Sequence, residues 1–144
     1  MRLPIVLALA FVAGPALAGE PSEVVKYFYS NIGAEYDPAR RDQFVDPAKA
    51  VLDANEKSEE PCLDFGLALD AQDYEDAMVA KTLKLSEDVN GDTATVTASF
   101  SLFEGDPQND REIVWELKKV GADWRIFDVG QAEGSWRLSE MSCQ

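Results

Sequence analysis

Asp128 is the acid that the sequence sets most closely among apolar neighbours. If the last hairpin turns at residues 120–123, Lys119 faces Trp124, Leu117 faces Ile126 and Trp115 faces Asp128. The carboxylate would then share a sheet face with two tryptophans and two aliphatics. Desolvation on such a face raises a carboxyl pKa, and an acid poised in this way can move a proton. Tyr27 and Tyr29 on the first helix are the hydroxyls placed to reach such a pocket and stabilise an oxyanion. The ordinary alternative is a wet rim position at the strand's end, and a one-residue slip in register moves Asp128 to the other face altogether. Gln72-Asp73 is the second candidate: either the pair lines the pocket mouth, or Asp73 caps the segment entering the first strand.

Other chemistries lack their residues. The chain has no histidine, which removes Ser-His-Asp and Cys-His nucleophile systems and the commonest zinc ligand. Its two cysteines, Cys62 and Cys143, are far apart and in no Cys-x-x-Cys motif, so the expectation is a structural disulfide formed in an oxidising compartment. Haem and iron–sulfur sites lack their usual ligands. Asp88-x-Asn90-x-Asp92 has the opening spacing of a calcium loop, but Thr93 and Ser99 stand where the turn glycine and bidentate glutamate belong. The same letters read as a hairpin around Asn90-Gly91. No Gly-x-Gly-x-x-Gly or P-loop occurs. The sequence therefore implies no cofactor and no metal.

The elements that would position these residues follow from periodicity. Ser22 is a natural cap, and Val24, Val25, Phe28, Tyr29 and Ile32 recur at helical spacing up to Gly33. Asp37-Pro38 and Asp46-Pro47 pair a capping residue with a proline at the first helical position, predicting short helices over about 38–44 and 47–56. Residues 58–72 read as irregular. Thr82–Ser86 alternates as a first strand, and residues 93–102 alternate strictly, with Thr93, Thr95, Thr97, Ser99 and Ser101 on one face and Ala94, Val96, Ala98, Phe100 and Leu102 on the other. Arg111–Val120 and Trp124–Val129 form a second hairpin, and Trp136–Met141 is either a short helical turn or an edge segment. Helices followed by an antiparallel meander define one α+β domain, with N-terminal helices packed on a curved sheet. Phe28, Tyr29, Phe100, Trp115 and Trp124 read as core, some of them candidates to line an apolar cavity.

Residues 1–18 read as a cleaved export signal. Arg2 precedes an apolar run from Leu3 to Val12, Gly14-Pro15 breaks it, and Ala16-Leu17-Ala18 has the small-x-small cleavage pattern before Gly19. That run is too short to span a bilayer, so the expected protein is residues 19–144, periplasmic or extracellular, without a membrane anchor. Twenty-seven acids against 13 bases give a formal net charge of −14. Such a field repels nucleic acid and anionic lipid. Nine carboxylates lie between Asp53 and Asp76 against one base, Lys57, as either a solvated face or a docking surface for a cationic partner.

Three segments resemble domain-of-unknown-function family 3828, small exported bacterial proteins with a nuclear-transport-factor-2-like cone. They are Val25-Lys26-Tyr27-Phe28-Tyr29, Leu69-Asp70-Ala71-Gln72-Asp73-Tyr74 and the closing strand from Val120 to Val129, in which Ala122-Asp123 replaces the usual tighter glycine turn. The resemblance implies helices closing over a curved sheet, and a homodimer through the outer sheet face as one option. It carries no established activity. The reading that results is a non-enzymatic exported binding module for a small ligand or a protein partner, with Tyr27, Tyr29, Gln72, Asp73, Trp115, Trp124 and Asp128 as candidate lining residues. One alternative is an acidic inhibitor or immunity-type protein for a basic envelope protein. The other is a pocket acid–base enzyme, isomerase- or hydratase-like, using Asp128.

Overall fold

A proline at the first helical turn and a stripe of Val25, Phe28 and Tyr29 make the opening segment a helix with one buried face. In the computed structural model, which describes residues 20–143, this is α1, Pro21–Ser30. The export segment expected over residues 1–18 lies outside the described residues. Ser22 is not the cap: it lies inside the helix, and its N–H donates to the Glu87 carboxylate at 3.0 Å. Gly33, at φ +93°, turns the chain out of the helix, a conformation that costs a residue without Cβ little.

Asp37 caps as expected, its Oδ1 accepting from the Ala39 N–H at 2.9 Å, but residues 38–43 wind as a 3-10 helix. Pro47 follows a cis peptide bond and takes the cap position itself, so α2 runs Ala48–Lys57. A third helix, α3 (Asp76–Thr82), was hidden because it buries only Val79 and shows too little periodic stripe to read. The first strand consequently begins two residues later than its pattern suggested.

Four strands follow as an antiparallel meander in the order β1 (Lys84–Asn90), β2 (Thr93–Ser101), β3 (Asp110–Val120) and β4 (Asp123–Gln131). The first hairpin turns one residue later than expected, at Gly91-Asp92: Asn90 still pairs with Thr93, and Gly91 takes the positive φ of +61° that the tight turn needs. The strict alternation of β2 holds: Ala94, Val96, Ala98 and Phe100 are buried, and the Thr/Ser row faces away. Helices over a curved, open antiparallel sheet make a single cone-like α+β domain.

The concave side is filled with rings. Phe28 stacks on Trp115 with centroids 5.5 Å apart and leans on Phe44. Tyr29 packs on Phe100 and Trp115 and accepts the Trp115 indole N–H at 3.0 Å. Such ring pairs add about 0.5–1.5 kcal/mol each beyond the burial of their area.

One irregularity decides the geometry of the candidate acid. The last hairpin starts in the expected register, Lys119 opposite Trp124 and Leu117 opposite Ile126. Between Glu116 and Leu117 the register then shifts, so that Phe127 is the extra residue of a bulge. Asp128 is thereby opposite Glu116, and Val129 rather than Asp128 is opposite Trp115. The bulge moves Asp128 off the tryptophan face. Beyond it, the chain returns along β4: Gly130 pairs with Arg137, and Leu138–Glu140 is a 3-10 turn, so both readings of the C-terminal segment hold in part. A Cβ on Gly130 would lie 3.0 Å from the Trp136 carbonyl, which is why this close approach takes glycine. Cys62 and Cys143 form the expected disulfide, with Cα atoms 5.3 Å apart.

Candidate functional site

The residues expected to line one pocket occupy four separate places. Asp128 is buried under the C-terminal segment. Its Oδ1 accepts from the N–H groups of Val129 and Ser139, both at 3.0 Å, and its Oδ2 from Arg137 Nε at 3.0 Å and Ser139 Oγ at 2.7 Å. Arg137 also pairs with Glu116. A carboxylate with both oxygens so engaged works as a clasp on residues 137–139. Tyr29 and Trp115 are joined to each other on the opposite, concave face, where burial pushes the Tyr29 hydroxyl pKa up.

Tyr27 is half-buried beside the 38–43 helix, and Trp124 is buried in the core, as its sequence reading expected, with one edge lining a recess. Tyr27 carries the Arg40 guanidinium 4.5 Å above its ring and lines a cavity of about 280 Å³ with Val24 and Gln43. Trp124 lines an adjoining one of about 300 Å³, which shares those two residues. Asp73 is exposed and makes no cap; Glu75 holds the residue before α3, without a side-chain cap bond. Gln72 alone of the set sits in a groove with an unusual acid beside it.

That acid, Glu35, was missed by the reading of the sequence. It is 1 % exposed, in the short 3-10 turn Ala34–Tyr36 after α1. Its Oε1 accepts the Ala68 N–H at 3.3 Å, while Oε2 is buried without a hydrogen-bond partner. Burial raises its pKa, and the N–H dipoles of Glu35, Ala68, Gly33 and Leu67 pull the other way. The signal was present in faint form, since Glu35 continues the Phe28–Ile32 stripe at helical spacing beyond the glycine.

Glu35 lines a groove of about 450 Å³ whose walls include Tyr36, Phe65 and Tyr74 and whose rim carries Asp64 and Gln72. No Lys or Arg lines it. Two bonds hold its walls: Tyr36 Oη donates to the Phe65 carbonyl at 2.6 Å, and Gln72 Nε2 donates to the Asp64 carbonyl at 2.8 Å. A larger cleft of about 830 Å³ at the end of the sheet is lined by both signs of charge, Lys81, Lys84 and Arg111 against Asp70, Asp110, Glu112 and Glu133. It contains no buried orphan group, so the smaller groove carries more chemistry.

The acidic stretch divides on inspection. Asp53 is held by Lys49 at 2.7 Å and by Arg41, Glu56 by Arg41 at 3.2 Å, and Asp70 by Arg111. The Lys49 hydrogen bond chiefly holds the Asp53 carboxyl below the usual range. Glu59, Glu60, Asp64, Asp73, Glu75 and Asp76 are exposed and make no ion pair among the described residues.

The fold and the site together define a class: a cone-like α+β domain with an aromatic core, recesses on its surface and an excess of acid over base. No protein-family model and no curated protein sequence matches the chain. Among solved structures it is similar to a chain of the type VI native effector–immunity complex Tae3–Tai3 from Ralstonia pickettii, with a TM-score of 0.56 and 19% identity, over 85% of this chain and 98% of that one. It is similar likewise to a chain of the selenomethionine form of that complex, with a TM-score of 0.55 and 17% identity, over 77% and 94%. At this identity the likeness is one of fold.

Glu35 makes stability depend on pH in a definite sense. Its folded-state pKa is raised, so the native state holds the proton more tightly than the unfolded chain. The associated stability is complete below the ordinary value of 4.5 and is lost as pH rises through the raised one. Glu35→Gln, a neutral group of the same shape, is easier to bury than the ion. The Tm of the variant minus that of the wild type is therefore expected to grow as pH rises from 4.5. A difference that stays constant over that range contradicts this assignment.

Proposed function

We propose that this chain is a protein-binding module of the immunity type, an exported acidic protein that docks on a basic protein partner. The observation that carries the reading is the set of exposed carboxylates without an ion pair at Glu59, Glu60, Asp64, Asp73, Glu75 and Asp76, of which Asp64 lines a groove that no cation lines. Two further facts support it. The structures with this fold come from a complex of two different proteins. The ring-filled concave face takes up the space that a small ligand would occupy. Export belongs to the same proposal, supported by the Cys62–Cys143 disulfide and by the signal pattern of residues 1–18. Kinship with domain-of-unknown-function family 3828 is proposed on the three segments that resemble it.

The test is capture of envelope proteins by the protein of residues 19–144, compared with a variant in which Glu59, Glu60, Asp73 and Asp76 are lysine. The expected result is a stoichiometric complex with one basic protein that weakens about tenfold or more from low to high salt and is lost in the charge-reversed variant. No retained protein at low salt, or equal retention by the reversed variant, overturns the reading.

A further inference from the structure

Glu35 is an expensive residue to bury. An ionisable group that is 1 % exposed with one oxygen unpartnered costs stability unless a cation or a proton answers it. Nothing described in the chain supplies the cation. Every other buried or half-buried acid among the described residues, Asp53, Asp70, Glu116 and Asp128, has an arginine or lysine within 4 Å.

The groove over Glu35 has the features that a guanidinium seeks. Tyr36, Phe65 and Tyr74 offer ring faces and edges to a planar cation, and Asp64 adds a second carboxylate at the rim. The Tyr36–Phe65 and Gln72–Asp64 bonds hold these walls in place over the buried acid. Its volume of about 450 Å³ accepts one long side chain with its stem.

We propose that this groove is the seat for an arginine side chain of the basic partner, with Glu35 as its buried counter-ion. The inference rests on the docking role proposed above and names the anchor within it. Lysine fits less well, since its point charge does not lie flat between rings. Binding is linked to the Glu35 proton: an ionised Glu35 attracts the guanidinium and a protonated one does not, so affinity rises with pH. The groups that face this carboxyl are the Gly33, Glu35, Leu67 and Ala68 N–H dipoles and the Tyr29 and Tyr36 hydroxyls. Neither tyrosine titrates below Glu35, since burial pushes both hydroxyls up. Asp64 at the rim acts on Tyr36 electrostatically.

The probe is a capped Gly-Arg-Gly tripeptide titrated into isotope-labelled protein, with the citrulline peptide as its neutral isostere. The expected result is saturable displacement of the Gly33, Leu67 and Ala68 amide signals by the arginine peptide alone, about tenfold or more weaker in Glu35→Gln. Equal affinity in Glu35→Gln, equal response to citrulline, or displacement confined to the exposed acids overturns the inference. Those outcomes leave the acidic docking surface intact, whereas its own failure is read in the charge-reversed capture. No displacement anywhere overturns the groove assignment as well.

Discussion

Serine at both Cys62 and Cys143 is expected to lower the unfolding free energy by about 4 kcal/mol, measured by urea denaturation of the oxidised wild type against the double variant. The bridge closes a loop across 81 positions, and the chain-entropy cost of leaving so long a loop open is of this order. It also ties the end of the chain to the segment after α2, where Leu63 is buried and Asn55 Oδ1 accepts the Leu63 N–H. A domain of this size is stabilised by about 5–15 kcal/mol, so the loss is a large share of the total. The reduced wild type should behave as the double variant does. A difference below about 1 kcal/mol would mean that the segment from Trp136 onward is held by its packing alone.

The second large effect is at Asp128. Asp128→Ala is expected to cost about 3 kcal/mol and Asp128→Asn clearly less. Most of this cost is hydrogen bonding. The alanine leaves the N–H groups of Val129 and Ser139 without their acceptor, at about 1–3 kcal/mol per buried orphan, and frees Arg137 and Ser139 Oγ. The ion pair itself contributes less, because the Arg137 side chain is 41% exposed. Limited proteolysis separates this from a general loss of packing: cleavage in residues 132–143 should rise before the sheet unfolds. Arg137→Ala is expected to be milder than Asp128→Ala, since Ser139 and Val129 still satisfy both carboxylate oxygens. A fully stable Asp128→Ala would remove the clasp from the account.

These results bear on how the candidate site could be read. Two pairs in the last hairpin were placed correctly from the turn at 120–123, and the error began with a single extra residue at Phe127. A bulge has no reliable local signature in Ile126-Phe127-Asp128, since all three residues suit a strand. Its cause lies elsewhere: Phe44 bridges Ile126 along the edge of β4, and the Arg137–Ser139 segment supplies donors for a carboxylate turned outward. Tyr29 and Trp115 were legible as core, and their mutual hydrogen bond follows once both polar tips are buried. Gln72 was placed at a groove mouth for a reason unrelated to Asp128: the Gly66–Ala71 bridge folds residues 64–72 back on themselves.

The sequence by itself determined the fold class, the meander, the faces of β2, the disulfide partners and the acidic excess. Each is written in a local period, a residue type or a count, which neighbouring residues express without reference to distant ones. Tertiary structure alone decided that Asp128 is a clasp, that the concave face is full, and that Glu35 is the orphaned acid. Those depend on contacts between segments far apart in the chain, 33 positions in the case of Glu35 and Ala68. Burial of a charge is a property of what packs over it, and no spacing within residues 33–36 records that Leu67 and Ala68 will close above them.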